Sequence, residues 1–170
     1  MFADEINKKV AAIIKKFGTN DPFLIANEMG IMVRFSNDFK KLKGLYTIIK
    51  RKRVIIINNN ISLEKQRIVC AHELGHDTIH RELASNNIFQ EFMLYDMAAR
   101  PEYEANMFAA ELLISDDEIY ELSHSIGYDM EKIAKNLNTD INLVGIKLAN
   151  MNYRGFDFNI GIPPKNNFLR

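Results

Sequence analysis

A single cysteine, Cys70, in a chain of 170 residues excludes an intramolecular disulfide framework. Excess charge is missing too. The 22 lysines and arginines balance 22 acidic residues, whereas a protein that coats nucleic acid carries a basic surplus. No apolar run approaches the ~18 residues that span a bilayer. The opening segment, MFADEINKKVAAIIKKFG, lacks the basic start, long apolar stretch and small-residue cleavage site of a signal peptide. No Pro/Gly/Ser-rich linker or internal repeat divides the sequence. The expectation is a soluble protein of a reducing, cytoplasmic compartment. Its composition, 47% hydrophobic and 26% charged, is that of a globular chain. A chain of this size can bury roughly 70% of its unfolded surface and needs no covalent staples.

Periodicity predicts a helix-rich α+β fold. Ile6, Val10, Ile13, Ile14 and Phe17 have helical spacing, with Gly18 as a stop. Asp21-Pro22 reads as an N-cap followed by a first-turn proline, and Gly30 as the next helix end. Strands are expected at 31–35, 44–50 and 54–58, the last two forming a hairpin around Arg51-Lys52, in a small, mostly antiparallel sheet of three strands. Ser62 caps a long helix over 63–81. Residues 82–100 read as a loop with room for a helical turn. Pro101 opens a helix over 102–114, Ser115 caps one near 116–124, and shorter helices fit 129–137 and 140–150. The tail from Arg154 onward reads as irregular.

The strongest chemical signal is His72-Glu73-Leu74-Gly75-His76 inside the long helix. Residues four apart lie one turn apart on one face, offset by about 40°. Two imidazoles so placed can converge on one ion, and Glu73, about 60° around from His76, can reach a water beside it. Such a pentapeptide also arises by chance, so its placement matters. The helix has two apolar sides, Leu63, Cys70 and Leu74 on one and Ile68, Val69 and Ile79 on the other, and so runs through the core. Polar side chains there need partners, and a metal supplies one. His80 extends the series, but on an unbroken helix it stands about 12 Å along the axis from His72, too far to share an ion. His76 and His80 form a competing pair with Asp77, whose shorter arm is a poorer match for reaching the water. His80 otherwise lines the site, or is a helix C-terminal histidine favoured by the dipole.

A catalytic zinc takes three protein ligands. Two carboxylates after Pro101 compete for the third place, Glu102 and Glu104, and they point about 200° apart. Glu102 shares a small, close-packing surface with Asn106, Ala109 and Leu113, whereas Glu104 shares its side with Glu111 and reads as a solvated edge. Glu102 is therefore the better ligand. Asn106, one turn on, is placed to bond a ligand histidine.

RIVCAHELGHDTIH followed by EYEANMFAAELLI resembles the ImmA/IrrE family of small metallopeptidases, which pairs AHELGH with a downstream ExxAN-x-FA-x-x-LL segment. The likeness extends upstream through GLYTIIKRKRVIIINNNISLEKQR and downstream through 129–148. It implies a zincin-like core built from an active-site helix, a small sheet and a second helix bearing a glutamate. Carried over by motif position, it implies Zn2+ held by His72, His76 and Glu102, with Glu73 as general base. Ile114-Ser115 departs from the Met-Pro of many members and affects only a helix end. The family's smaller members inactivate helix-turn-helix repressors of phages and integrative elements, so the resemblance implies an anti-repressor protease. The organisation expected is a metallopeptidase domain over 1–125 and a helical extension over 126–170 packed on it.

Two further features carry weaker readings. Residues 130–148 have the hydrophobic pattern of a helix-turn-helix. Only Asn142 and Lys147 suit the outer face of a reading helix, so a hairpin packed on the core is favoured over DNA recognition. The basic stretch from Lys40 to Arg53 reads as a solvated hairpin guarding a sheet edge, with a patch for an acidic partner or nucleic acid as the alternative. In zincins that edge often receives substrate as an added strand. Cys70 reads as a buried thiol and His124 as exposed. The rival to proteolysis is a binding module that inactivates a regulator without cutting it.

Overall fold

The computed structural model describes residues 2–82, 99–125 and 129–158. In chain order the elements are α1 (Phe2–Phe17), α2 (Pro22–Glu28), β1 (Met32–Ser36), β2 (Gly44–Ile49), β3 (Lys52–Asn58), α3 (Leu63–Ile79), α4 (Ala99–Leu113), α5 (Asp116–Ser125), α6 (Met130–Asn136) and α7 (Ile141–Tyr153). The architecture is α+β. The expected caps are in place: Asp21 Oδ1 accepts from the backbone of Phe23 and Leu24, Ser62 Oγ from Lys65, and Ser115 Oγ from Glu118. α4 starts at Ala99, two residues ahead of Pro101, which a proline in the first turn permits. The reading of 82–100 as a loop falls almost wholly outside the described residues, as do Gly161, Pro163 and Pro164 of the tail.

The sheet has the order β1-β3-β2 and is mixed, not mostly antiparallel. β2 and β3 pair antiparallel across a two-residue turn, Lys50-Arg51, with Ile49 opposite Lys52. Both turn residues have positive φ, 49° and 66°, which is the geometry that matches strand twist. β1 pairs parallel to β3. The connection after β1 reverses the chain and carries it past the place β3 will fill. The hairpin then reverses it again, so β1 and β3 must run the same way.

Alternation along the strands puts Tyr46 of β2 and Arg53, Ile55 and Ile57 of β3 on one face, which packs on α3. α3 is buried from Ile68 to Asp77, while Leu63, expected on an apolar side, is 81% exposed at the helix start. Asp77 fastens this layer. Its buried carboxylate accepts from Tyr46 Oη at 2.7 Å, from Arg53 Nη1 at 2.9 Å and from Arg81 Nη2 at 2.8 Å. Arg53 also donates to the carbonyl of Met29, so one guanidinium ties β3 to both α3 and the end of α2.

α4 packs along α3 on one side and against α1 and α7 on the other. Glu111, expected on a solvated edge, is buried. It accepts from Lys147 Nζ at 2.7 Å, from Asn7 Nδ2 at 2.9 Å and from Asn150 Nδ2. Lys147, considered above for DNA reading, is 1% exposed and also meets Asp116 at 2.6 Å. Asn142 bonds back to its own N-cap, Asp140. With Leu143, Val144, Ile146, Leu148 and Met151 fully buried, α7 is a core helix. Cys70 is buried and burial pushes its thiol pKa up, while His124 is exposed.

Lys147→Met takes from the buried Glu111 carboxylate its nearest cation and should cost about 3 kcal/mol, measured as a lower urea midpoint. Replacing both Glu111 and Lys147 with leucine should recover most of that loss. Burial alone would raise the Asp116 pKa, but bonds from Arg154 and Lys147 hold it at about 2. A carboxylate lowered on folding stabilises above its unfolded pKa. Acid titration should therefore show stability declining as pH falls from about 4 toward 2, a decline that Asp116→Asn makes shallower.

Candidate metal centre

α3 and α4 approach closely because of one residue. A Cβ on Gly75 would lie 3.0 Å from Ala105 Cα, 3.2 Å from Ala105 O and 3.1 Å from Phe108 Cβ. The glycine of the pentapeptide is thus where the backbone of the second helix enters. That approach brings Glu102, from the first turn of α4, to the two histidines of α3. Glu102 Oε2 is 3.5 Å from His72 Nε2, Glu102 Oε1 is 3.5 Å from His76 Nε2, and the two Nε2 atoms are 3.1 Å apart.

These spacings can be compared with what an ion requires. Donors ~2.0–2.2 Å from one tetrahedral ion stand ~3.3–3.6 Å from one another. The two imidazole nitrogens and the two oxygens of the Glu102 carboxylate already stand at about that spacing. The tautomer fits as well. Asn106 Oδ1 accepts from His72 Nδ1 at 2.8 Å, which places the ring proton there and turns a lone pair at Nε2 into the triangle. Burial pulls the His72 pKa down, but the Glu102 bond and the Glu73 and Glu102 charges outweigh it, and the net direction is up. The pocket therefore favours positive charge where the three donors meet. Among the described residues, His72, His76 and Glu102 form a group able to hold a metal ion.

Glu73 lies beside this triangle on the buried flank of α3. Burial and the nearby Glu102 raise its pKa to about 7, against the opposing pull of His72 and of the Tyr46 backbone N–H that donates to it. The start of β2 presses on the same carboxylate. A Cβ on Gly44 would meet Val69 Cγ1 at 2.3 Å and Glu73 Oε1 at 3.1 Å, so only glycine fits there. Tyr46 thus meets α3 twice, its amide on Glu73 and its hydroxyl on Asp77. Sequence reasoning found no role for it, since nothing in the spacing of a lone tyrosine on a strand signals one.

His80 turns away from the triangle. Its Nε2 donates to Glu104 Oε2 at 2.8 Å, and Arg100 Nε donates to Glu104 Oε1 at 2.9 Å. Glu104, expected on a solvated edge, is buried at 8% exposure. Burial would raise its pKa, but the His80 and Arg100 bonds bring the net direction down.

A histidine pair on a core helix, an acid beside it and a glutamate from a second helix make a candidate metal-ion site. The family of peptidases described as the IrrE N-terminal-like domain matches residues 26–149, and the chain belongs to it. It is 32% identical to the Metallopeptidase ImmA of Bacillus subtilis strain 168, over 85% of this chain and 84% of that one. It is 36% identical to the Uncharacterized immunity region protein 2 of Bacillus phage phi105, over 65% of this chain and 69% of the other. Among solved structures, a Mycobacterium tuberculosis transcriptional regulator superposes with a TM-score of 0.62 at 15% identity, a likeness of fold. The match covers 86% of this chain but 46% of that one, so this chain spans under half of the longer regulator.

Gly75→Ala gains about 1 kcal/mol of helix propensity but forces α4 outward by tenths of an ångström. Metal sites tolerate ~0.2 Å, so the variant should keep its thermal stability yet lose divalent-metal affinity in a chelator competition.

Proposed function

We propose that this protein is a zinc-dependent endopeptidase that acts as an anti-repressor, cutting a helix-turn-helix repressor of a phage or integrative element. The observation that carries the enzymatic half is the donor group itself: the two Nε2 atoms are 3.1 Å apart and each is 3.5 Å from one oxygen of Glu102, with a buried carboxylic acid beside them. Two imidazoles and one carboxylate form a donor set typical of catalytic zinc. His72, His76 and Glu102 would hold the ion, which when bound supplies Lewis acidity toward a scissile carbonyl.

The remaining chemistry belongs to the chain. Glu73 takes a proton from the attacking water and returns it to the leaving amine. The Tyr46 N–H holds that carboxylate in place. Asn106 fixes the His72 ring so that its lone pair faces inward. Burial of His72, Glu73 and His76 keeps bulk water from competing for the proton.

The regulatory half is supported by the relatives. One is named a metallopeptidase and the other belongs to a phage immunity region. Residues 1–125 constitute the peptidase unit in this reading and 126–170 an extension packed on it, in keeping with the burial of α7 against α4. Among the described residues no helix is long and apolar enough to cross a membrane.

Glu73→Gln should retain the fold and bound zinc but lose cleavage by at least ~100-fold, the scale of a lost general base. The assay is mass spectrometry of the neighbouring element's repressor after incubation with the purified protein. Undiminished cleavage by the variant rejects this mechanism. A repressor left intact yet unable to bind DNA favours inactivation by binding alone.

A further inference from the structure

The contact between α3 and α4 leaves one freedom unaccounted for. Gly75 against Ala105 sets how near the helices come, but a smooth backbone contact does not fix rotation of α4 about its own axis. Rotation decides whether Glu102 reaches the histidines. At ~6 Å from a helix axis, a turn of ~10° moves a carboxylate by ~1 Å, several times the tolerance of a metal site. The turn that carries Glu102 is the first of its helix, where half of the backbone hydrogen-bonding partners are missing.

Two polar contacts bracket the face of α4. Asn106 and Glu104 each stand about 100° around the helix from Ala105, in opposite senses. Asn106 reaches α3 through His72 at 2.8 Å, and Glu104 through His80, also at 2.8 Å. Rotating α4 either way lengthens one of these bonds. The His72 contact belongs to the metal site already described. His80 packs its ring on that of His76, with centroids 5.5 Å apart, and lies a turn beyond it, while Glu104 stands two residues beyond Glu102. Both are buried, and Arg100 occupies the second oxygen of Glu104.

We propose that His80 and Glu104 are a positioning pair that fixes the rotation of α4, holding Glu102 toward His72 and His76 and the competing Glu104 away from them. The inference rests on the metal reading above.

The test uses the full chain and two probes, Zn2+ affinity by chelator competition and the visible spectrum of the Co2+-loaded protein, which reports ligand geometry. His80→Leu should weaken Zn2+ binding about 10–100-fold, as loss of a supporting contact does at metal sites, and alter the cobalt bands. His80→Gln, whose amide can still donate to Glu104, should restore most of both. Because the leucine variant leaves Glu104 buried with one partner fewer, the double variant His80→Leu/Glu104→Leu is measured alongside it. An apolar pair of similar volume preserves stability but cannot restrain rotation, so the same loss of affinity is expected. Wild-type affinity and spectrum in the double variant overturn the proposal, as does a fall in metal-free melting temperature with affinity intact. A wild-type protein that binds neither ion overturns the metal reading and this inference with it. Wild-type binding with an unaffected double variant removes this inference alone.

Discussion

Everything at the centre of this molecule depends on two helices being allowed to touch through their backbones. A hydrogen atom in place of a side chain at Gly75 admits Ala105, and the acid of one helix then meets the imidazoles of the other. The arrangement draws on nothing exotic. A 3.6-residue period puts His72 and His76 on one face, and small residues on α4 clear the way. The supporting shell is similarly economical. Asn106, Tyr46 and Gly44 each act on a functional side chain from a neighbouring element, so the geometry is held by the fold and not by local sequence alone.

Around that contact the fold gathers buried charge in three separate places. Asp77 collects Tyr46, Arg53 and Arg81, Glu104 collects His80 and Arg100, and Glu111 collects Lys147, Asn7 and Asn150. Each buried acid has partners from its own helix or from across the core, as the cost of an isolated buried carboxylate demands. All three lie on the two helices that carry the donor triangle. They fasten those helices to the sheet, to each other and to α1 and α7.

The elements that depend on local periodicity were legible in the sequence. The long helix, its Ser62 cap, the hairpin and the pairing of His72 with His76 follow from spacing alone. The choice of Glu102 over Glu104 leaned partly on reading Glu104 as a solvated edge, which its burial overturns, and the ExxAN motif pointed to the same residue independently. What escaped was everything decided by a distant partner. Glu104 and Glu111 look like a solvated edge until His80 and Lys147, 24 and 36 residues away, are known to reach them. Lys147 resembles a surface residue for the same reason. The direction of β1 depends on which strand it joins, and a short alternating segment carries no mark of that choice.

The two close-packed glycines differ in what a suppressor mutation could do for them. At Gly44 the nearest obstacle is the side chain of Val69, so trimming that residue makes room for a methyl group. At Gly75 the nearest obstacles include the Cα and carbonyl oxygen of Ala105, which every amino acid possesses. No exchange at position 105 removes them, so a lesion at 75 is repaired only by reversion or by shifting an entire helix. The first glycine can be renegotiated with one neighbour, whereas the second is an evolutionary one-way door.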